Sequence, residues 1–268
     1  MKVVLVLSDA LRDDVAKERM GYLEYLVETE RGTRYSVRGE LPTLSRPMYE
    51  TVHTGLGVGD HGVVSNQIIR RSTVPNIFEE ARKHGRTTAA AAYYWISELY
   101  NRAPFDPIND REVDDEALPI QHGRFYMEDS YPDKELFLTG AWLVRKFSPD
   151  YLLIHPMGMD YLGELYGADT REYRSHATHQ DMVLANLIPE WLSLGYAVLV
   201  TGDHGMNSDH GHGGTTPDVR NVPLYIVPPA GGGKGETGET VSQLQIAPTL
   251  LRLLELPIPQ TMKARPLA

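Results

Sequence analysis

The chain has 268 residues, 41% of them apolar, and a formal net charge of −10. It can bury a substantial core, and its charge argues against a nucleic-acid backbone or an anionic membrane as the main partner. It has no cysteine, which excludes disulfides, thiolate metal sites and a cysteine nucleophile.

Met1-Lys2 leads directly into an apolar run that is too short for a signal peptide and lacks a cleavage site. No stretch approaches the ~20 apolar residues of a membrane helix. A cytoplasmic location is therefore expected. Val3–Leu7 reads as a buried strand ending at Ser8-Asp9, and ligands collect at the carboxyl ends of parallel strands. Asp9 in that position is either a ligand or the cap of a following helix. Arg34–Val37 reads as a second strand. After the turn Leu41–Pro47, Met48–Thr54 reads as a helix that stops at Gly55. Ser45 would lie just before that helix, as a cap or as an activated nucleophile. The loop that follows ends in a polar amide, Asn66.

Pro75–His84 has the pattern of an amphipathic helix, with Pro at its start and Gly85 after its end. Thr87–Ala92 is a third strand. Residues 101–133, polar and Pro-containing, read as a small cap-like excursion over the active face; the acidic cluster Asp114-Asp115-Glu116 within it reads as solvated. Lys134–Phe147 is a helix. Tyr151–His155 is a fourth strand, followed by the ligand types His155, Asp160 and Glu164. Thr170–Leu194 is a long helix whose His176 and His179 read as helix-face residues.

Tyr196–Thr201 is the fifth strand and feeds the most informative stretch, V-L-V-T-G-D-H-G-M-N-S-D-H-G-H-G-G. An apolar run stops at Asp203-His204, and a Gly-rich loop then carries Asp209, His210 and His212. Carboxylate and imidazole suit first-row metals, and Gly lets backbone fold tightly around an ion. Asn221–Val227 is a sixth strand, Ala230–Thr240 a flexible turn and Val241–Leu254 a closing helix. The alternation of strands and helices predicts an α/β fold, a largely parallel central sheet flanked by helices, in a single domain over 1–268.

The motifs, in this order, resemble the alkaline phosphatase superfamily in its type I phosphodiesterase and nucleotide pyrophosphatase branch. Asp9 in S-D-A-L-R resembles the first metal aspartate. Ser45 in L-P-T-L-S-R-P matches the nucleophile of a P-[ST]-x-[ST]-x-P turn. T-G-L-G-V-G-D-H-G-V-V-S-N is similar to T-G-x-x-P-x-x-H-G-x-x-x-N, which places Asn66 on the phosphoryl-oxygen-binding asparagine. Asp160 falls on the aspartate of D-x-x-G-H, Asp203-His204 on the Asp-His pair and His212 on the late histidine. L-Q-I-A-P-T resembles the closing D-I-A-P-T, with Gln245 for Asp.

The resemblance implies two divalent metal ions, Zn or Mn, and a phospho-enzyme. Asp9, Ser45, Asp203 and His204 would serve one ion; Asp160, Glu164 and His212 would serve the other. A coordinated cation favours the alkoxide of a serine, and two ions ~4 Å apart can clamp the attacking and leaving oxygens. Asn66 and the N-terminus of the following helix can stabilise the remaining oxygens. Two departures stand out. Glu164 replaces the usual histidine and favours a harder ion such as Mn²⁺ or Mg²⁺ there, with His155 and His210 as possible substitutes. Met48-Tyr49 replaces the frequent Asn-His pair.

The implied function is metal-dependent hydrolysis of phosphate esters, diesters or nucleotide pyrophosphates, on a small phosphorylated substrate. A phosphomonoesterase or a carbon–phosphorus hydrolase would use the same scaffold, and a non-catalytic phosphate-binding protein would leave Ser45 idle. A sulfatase wants a cysteine-type turn that this chain lacks. A cofactor-independent phosphoglycerate mutase wants a large second domain for which 268 residues leave no room.

Overall fold

The fold is organised by three neighbouring strands, β1 (Lys2–Leu7), β6 (Tyr151–Ile154) and β7 (Tyr196–Thr201). A computed structural model describes residues 1–267. The other strands are β2 (Thr33–Arg38), β3 (Thr88–Tyr93), β4 (Glu112–Asp114), β5 (His122–Tyr126), β8 (Asn221–Val227) and β9 (Gly235–Ser242). Among the described residues all nine join one sheet, in the order β4-β5-β3-β6-β1-β7-β8-β2-β9. Only β4 and β8 run against the rest. β1 pairs in parallel with β6 on one side and β7 on the other.

The apolar runs of these strands are unbroken because both faces of the sheet are covered. Val4 and Val6 pack into one core with Leu152, Ile154, Val198 and Val200. Val3, Leu5 and Leu7 point the other way, packing with Tyr151, Leu153 and Leu199. This two-residue alternation buries every β1 side chain from Val3 to Leu7 completely, which stabilises the fold by roughly 1.5–3 kcal/mol per large aliphatic side chain.

The structure differs from the sequence reading at several elements. The helix expected from Met48 begins at Ser45 and runs Ser45–Thr54; Pro47 is no obstacle, since the first helical turn has no intrahelical N–H bond to lose. Residues 101–133 supply β4 and β5, which continue the sheet beyond β3. Their acidic cluster is partly paired, because Asp114 accepts from Arg124 at 2.9 Å. The stretch read as a Gly-rich turn forms most of β9, an edge strand paired in parallel with β2. The closing helix is correspondingly shorter, Ile246–Leu253. Gln245, in place of Asp, closes a capping box there by accepting from the Ser242 N–H at 3.1 Å.

Candidate active site

The carboxyl ends of β6, β1 and β7 lie side by side, so the sheet itself gathers their loop residues. Ser8 N–H still donates to Thr201 O at 2.8 Å and Asp9 N–H to Pro156 O at 3.0 Å, extending the pairing past β1. The next residue, Ala10, adopts φ 59°, a left-handed conformation that costs a non-glycine residue of order 1–3 kcal/mol. Its N–H donates to Asp203 Oδ1 at 3.0 Å, and its carbonyl accepts from the Tyr173 hydroxyl. Asp9 caps no helix: the next one, Asp13–Arg19, has Arg12 at its N-cap.

Asp9, Asp203 and His204 form one cluster of mutually close ligand atoms, and Asp160, His204 and His212 form a second. His204 Nε2 lies 3.4 Å from Asp9 Oδ1 and 3.3 Å from Asp203 Oδ2. His204 Nδ1–H donates to its neighbour Gly205 O at 2.9 Å, so Nε2 carries the lone pair. His212 Nδ1–H donates to Thr43 O at 2.9 Å, which turns its Nε2 toward Asp160 Oδ1, 3.8 Å away. The two imidazoles stack, centroids 4.1 Å apart. The fold tolerates the tight loop here because residue 205 is glycine: a Cβ would meet Asp218 O at 2.0 Å.

Asp160 sits in the first turn of the helix Gly158–Tyr166. Asp133 fixes that helix start, accepting from Gly158 N–H at 3.1 Å, Gln180 Nε2 at 2.7 Å and His176 Nε2 at 2.6 Å. His176 is therefore engaged within the protein and is not a ligand to either cluster. Glu164, one turn after Asp160, is about half exposed; its Oε1 lies 3.7 Å from His212 Nε2. His210 is exposed and donates from Nδ1 to Glu164 O at 2.9 Å, outside both clusters. His155 is fully buried, with Nε2 3.4 Å from Asp9 Oδ2.

Ser45 opens its helix and makes no capping bond. Its hydroxyl lies 3.2 Å from His204 Nε2. Asn66 Oδ1 accepts from Arg46 N–H at 3.1 Å, which holds the amide against the first turn of the same helix. Arg46 points inward to a buried ion pair with Glu98 at 2.8 Å and lies over the Trp95 ring at 4.4 Å.

The donor set fits divalent cations. Asp9 Oδ1, Asp160 Oδ1 and Asp203 Oδ2 are buried acceptors without a hydrogen-bond partner, and buried acceptors in native proteins are nearly always satisfied. Burial, and then the charge of Asp9, push the Asp160 and Asp203 carboxyls well above their ordinary range. Burial, and then the neighbouring His212, lower His204 to about 3, so it is neutral and able to ligate. Against its burial, the nearby Glu164 carboxylate and the Asp160 charge raise His212 to about 9. Protons held on packed carboxyl groups are what a cation would displace.

The sequence matches the family described as type I phosphodiesterase / nucleotide pyrophosphatase over residues 3–214. The catalytic subunit of human (Homo sapiens) GPI ethanolamine phosphate transferase 2 is 26% identical over 281 residues, covering 97% of this chain and 27% of the relative. The chain thus spans about a quarter of the length of such curated relatives. Murine ectonucleotide pyrophosphatase / phosphodiesterase 5 shares the fold with a TM-score of 0.69 at 15% identity, covering 97% of this chain and 96% of that one. A phosphonate monoester hydrolase from Silicibacter pomeroyi does so with a TM-score of 0.69 at 15% identity, covering 99% and 75%. No described helix is long and apolar enough to cross a membrane.

Proposed function

The chain belongs to the type I phosphodiesterase / nucleotide pyrophosphatase family, and from that premise we propose that it hydrolyses phosphate esters of small molecules, diesters or nucleotide pyrophosphates, through a phospho-Ser45 intermediate with two divalent cations. One observation carries this reading. The Ser45 hydroxyl lies 3.2 Å from His204 Nε2, beside three buried carboxylate oxygens that lack partners.

Asp9, Asp203, His204 and Ser45 are the residues to hold one cation, Zn or Mn. His204 also belongs to the second cluster, but a single Nε2 lone pair serves one ion. With His204 committed to the first, the second ion is left with Asp160 and His212 and needs another donor. Glu164 is the nearest candidate, 3.7 Å from His212 Nε2. Bound cations would supply positive charge that lowers the cost of the Ser45 alkoxide and of charge on the phosphoryl oxygens.

Ser45 Oγ attacks phosphorus and loses its proton to solvent. The ester P–O bond opposite breaks, and the departing oxygen takes a proton from water. Water then attacks phospho-Ser45, the Oγ–P bond breaks and Oγ regains a proton. The Asn66 acceptor is occupied by Arg46 N–H, which leaves its Nδ2 hydrogens for a phosphoryl oxygen. Thr43 Oγ1 donates to His212 O at 2.5 Å and so is engaged in holding the ligand loop.

A second reading keeps the first half-reaction and replaces water by an alcohol acceptor, which makes the chain a phosphoryl-group transferase. Relatives named as ethanolamine phosphate transferases, aligned over 97% of this chain, support it. Paired assays on bis-p-nitrophenyl phosphate and p-nitrophenyl phosphate, with and without added ethanolamine-type alcohols, test both. Diester turnover exceeding monoester turnover is expected. No release from either substrate with Zn²⁺ or Mn²⁺ present would refute the proposal, and partition into alcohol esters would select the transferase.

A further inference from the structure

We propose that Tyr49, which stands where the family frequently has a histidine, is a positioning residue that ties the nucleophile's helix to Asp9. The inference rests on the cation reading above and concerns which oxygen of Asp9 is offered.

The two oxygens of Asp9 have different surroundings. Oδ2 accepts from the Tyr49 hydroxyl and faces His155 Nε2 at 3.4 Å. Oδ1 has no hydrogen-bond partner and faces His204 Nε2 at 3.4 Å. A carboxylate with both oxygens free can rotate or chelate in either sense. Here one oxygen is held by the nucleophile's helix, and the other is left for the cluster.

Tyr49 is itself fixed. It is fully buried. Its carbonyl accepts from His53 Nδ1–H at 2.8 Å and from the Tyr100 hydroxyl at 3.2 Å. Its ring meets His155 edge-on, centroids 4.5 Å apart. His155 is fully buried with neither ring nitrogen hydrogen-bonded, so it packs as a wall behind Oδ2. The spacing completes the argument. Residues 45 and 49 are four apart on one helix, which puts them on the same face one turn apart. One rigid element therefore delivers Ser45 Oγ to His204 and the Tyr49 hydroxyl to Asp9. Removing the hydroxyl frees both the carboxylate and the register between nucleophile and ligand.

The test is Tyr49→Phe, with Tyr196→Phe as a control that removes a buried hydroxyl donating to Pro149 O at 2.8 Å, at the end of the sheet away from Asp9. Metal-free proteins are titrated with Co²⁺, following its visible spectrum, and with Zn²⁺ against a competing chelator. For Tyr49→Phe, one of two ions is expected to bind about 10-fold more weakly or worse, the usual loss when the group orienting a metal ligand is removed. The Co²⁺ spectrum of that site should change and kcat should fall with KM nearly unchanged. Tyr196→Phe should match wild type, and Tyr49→His, whose shorter ring carries no donor as far as Asp9 Oδ2, should lose affinity as Tyr49→Phe does. In an Asp9→Asn background, Tyr49→Phe should cause no further loss. Wild-type affinities and spectrum in Tyr49→Phe would overturn the inference while leaving the cation reading intact, as would equal losses in Tyr196→Phe. If Tyr49→Phe does not fold, Tyr49→His decides: wild-type affinities in that variant overturn the inference. A wild-type protein that binds no ion would refute the cation reading and the inference together.

Discussion

Asp203→Asn separates ligation from folding, because its effect on stability should change sign with metal. In wild type, Asp203 Oδ1 accepts from Ala10 N–H at 3.0 Å, and Oδ2 is a buried acceptor without a partner. Asparagine keeps the first bond and loses the charge. With chelator present, the substitution removes a carboxylate crowded by Asp9 and Asp160, so Tm should stay level or rise. The folded-state pKa of Asp203 is raised, so at low pH, with the carboxyl neutral in both states, it carries no penalty. As pH climbs above the ordinary value of 3.8, the unfolded chain ionises first and wild type loses stability. The advantage of Asp203→Asn in chelator should therefore open above about pH 4 and widen with pH. With metal at 100 times its Kd, wild type gains about 2.7 kcal/mol, or roughly 5–11 °C in Tm, and the variant should forfeit most of that increment. Differential scanning calorimetry with Zn²⁺ and with chelator, at several pH values, reads both limbs. An equal fall in Tm under both conditions would show Asp203 to be a structural acid rather than a ligand.

Other expectations follow from the same geometry. Ser45→Ala should abolish turnover while elemental analysis still finds metal bound, whereas Thr43→Ala should retain measurable turnover; the reverse result would reassign the nucleophile. Wild type should prefer Mn²⁺, and Glu164→His should shift that preference toward Zn²⁺ and raise monoester relative to diester turnover, read by reconstituting both metal-free proteins; identical rankings would exclude Glu164 as a donor. Arg46→Met should cost about 3–5 kcal/mol by urea denaturation, because it strands the buried Glu98 carboxylate, and adding Glu98→Leu should restore much of that loss.

The centre of the sheet was legible in the sequence for a physical reason. Strands β1, β6 and β7 are covered on both faces, so their apolar runs are unbroken and stop visibly at Asp9, His155 and Asp203. The edges were not. β9, G-E-T-G-E-T-V-S, carries glycines and solvent-facing glutamates, and β4, E-V-D, has two exposed acids in three residues; neither shows a buried face in its pattern. Ser45 and Asn66 were readable as motif positions, and the structure places both at the first turn of one helix. Sequence could not decide between Asp9 as ligand and as cap, or tell which of His155, Glu164 and His210 approaches His212, because these depend on side-chain direction. Tyr49 was legible only as a departure from the Asn-His pair; it shares a helix face with Ser45 because the helix starts at Ser45 rather than at Met48.

The sharing of His204 between two clusters has a thermodynamic consequence. On the proposed two-cation reading, its single free lone pair would make the two ion-binding equilibria compete for one donor, so filling either cluster would lower the affinity of the other by the same factor, as reciprocity of coupling requires. Repulsion between the ions acts in the same direction, and the carboxylates' combined charge opposes it. Loading would then proceed in two unequal stages. Between them lies a half-loaded protein, with Ser45 beside one cation and a vacant acid–imidazole pair at hand. The ratio of the two affinities would fix the range of free-metal concentration over which that species persists, and with it the range over which metal supply, rather than substrate, would govern the activity proposed above.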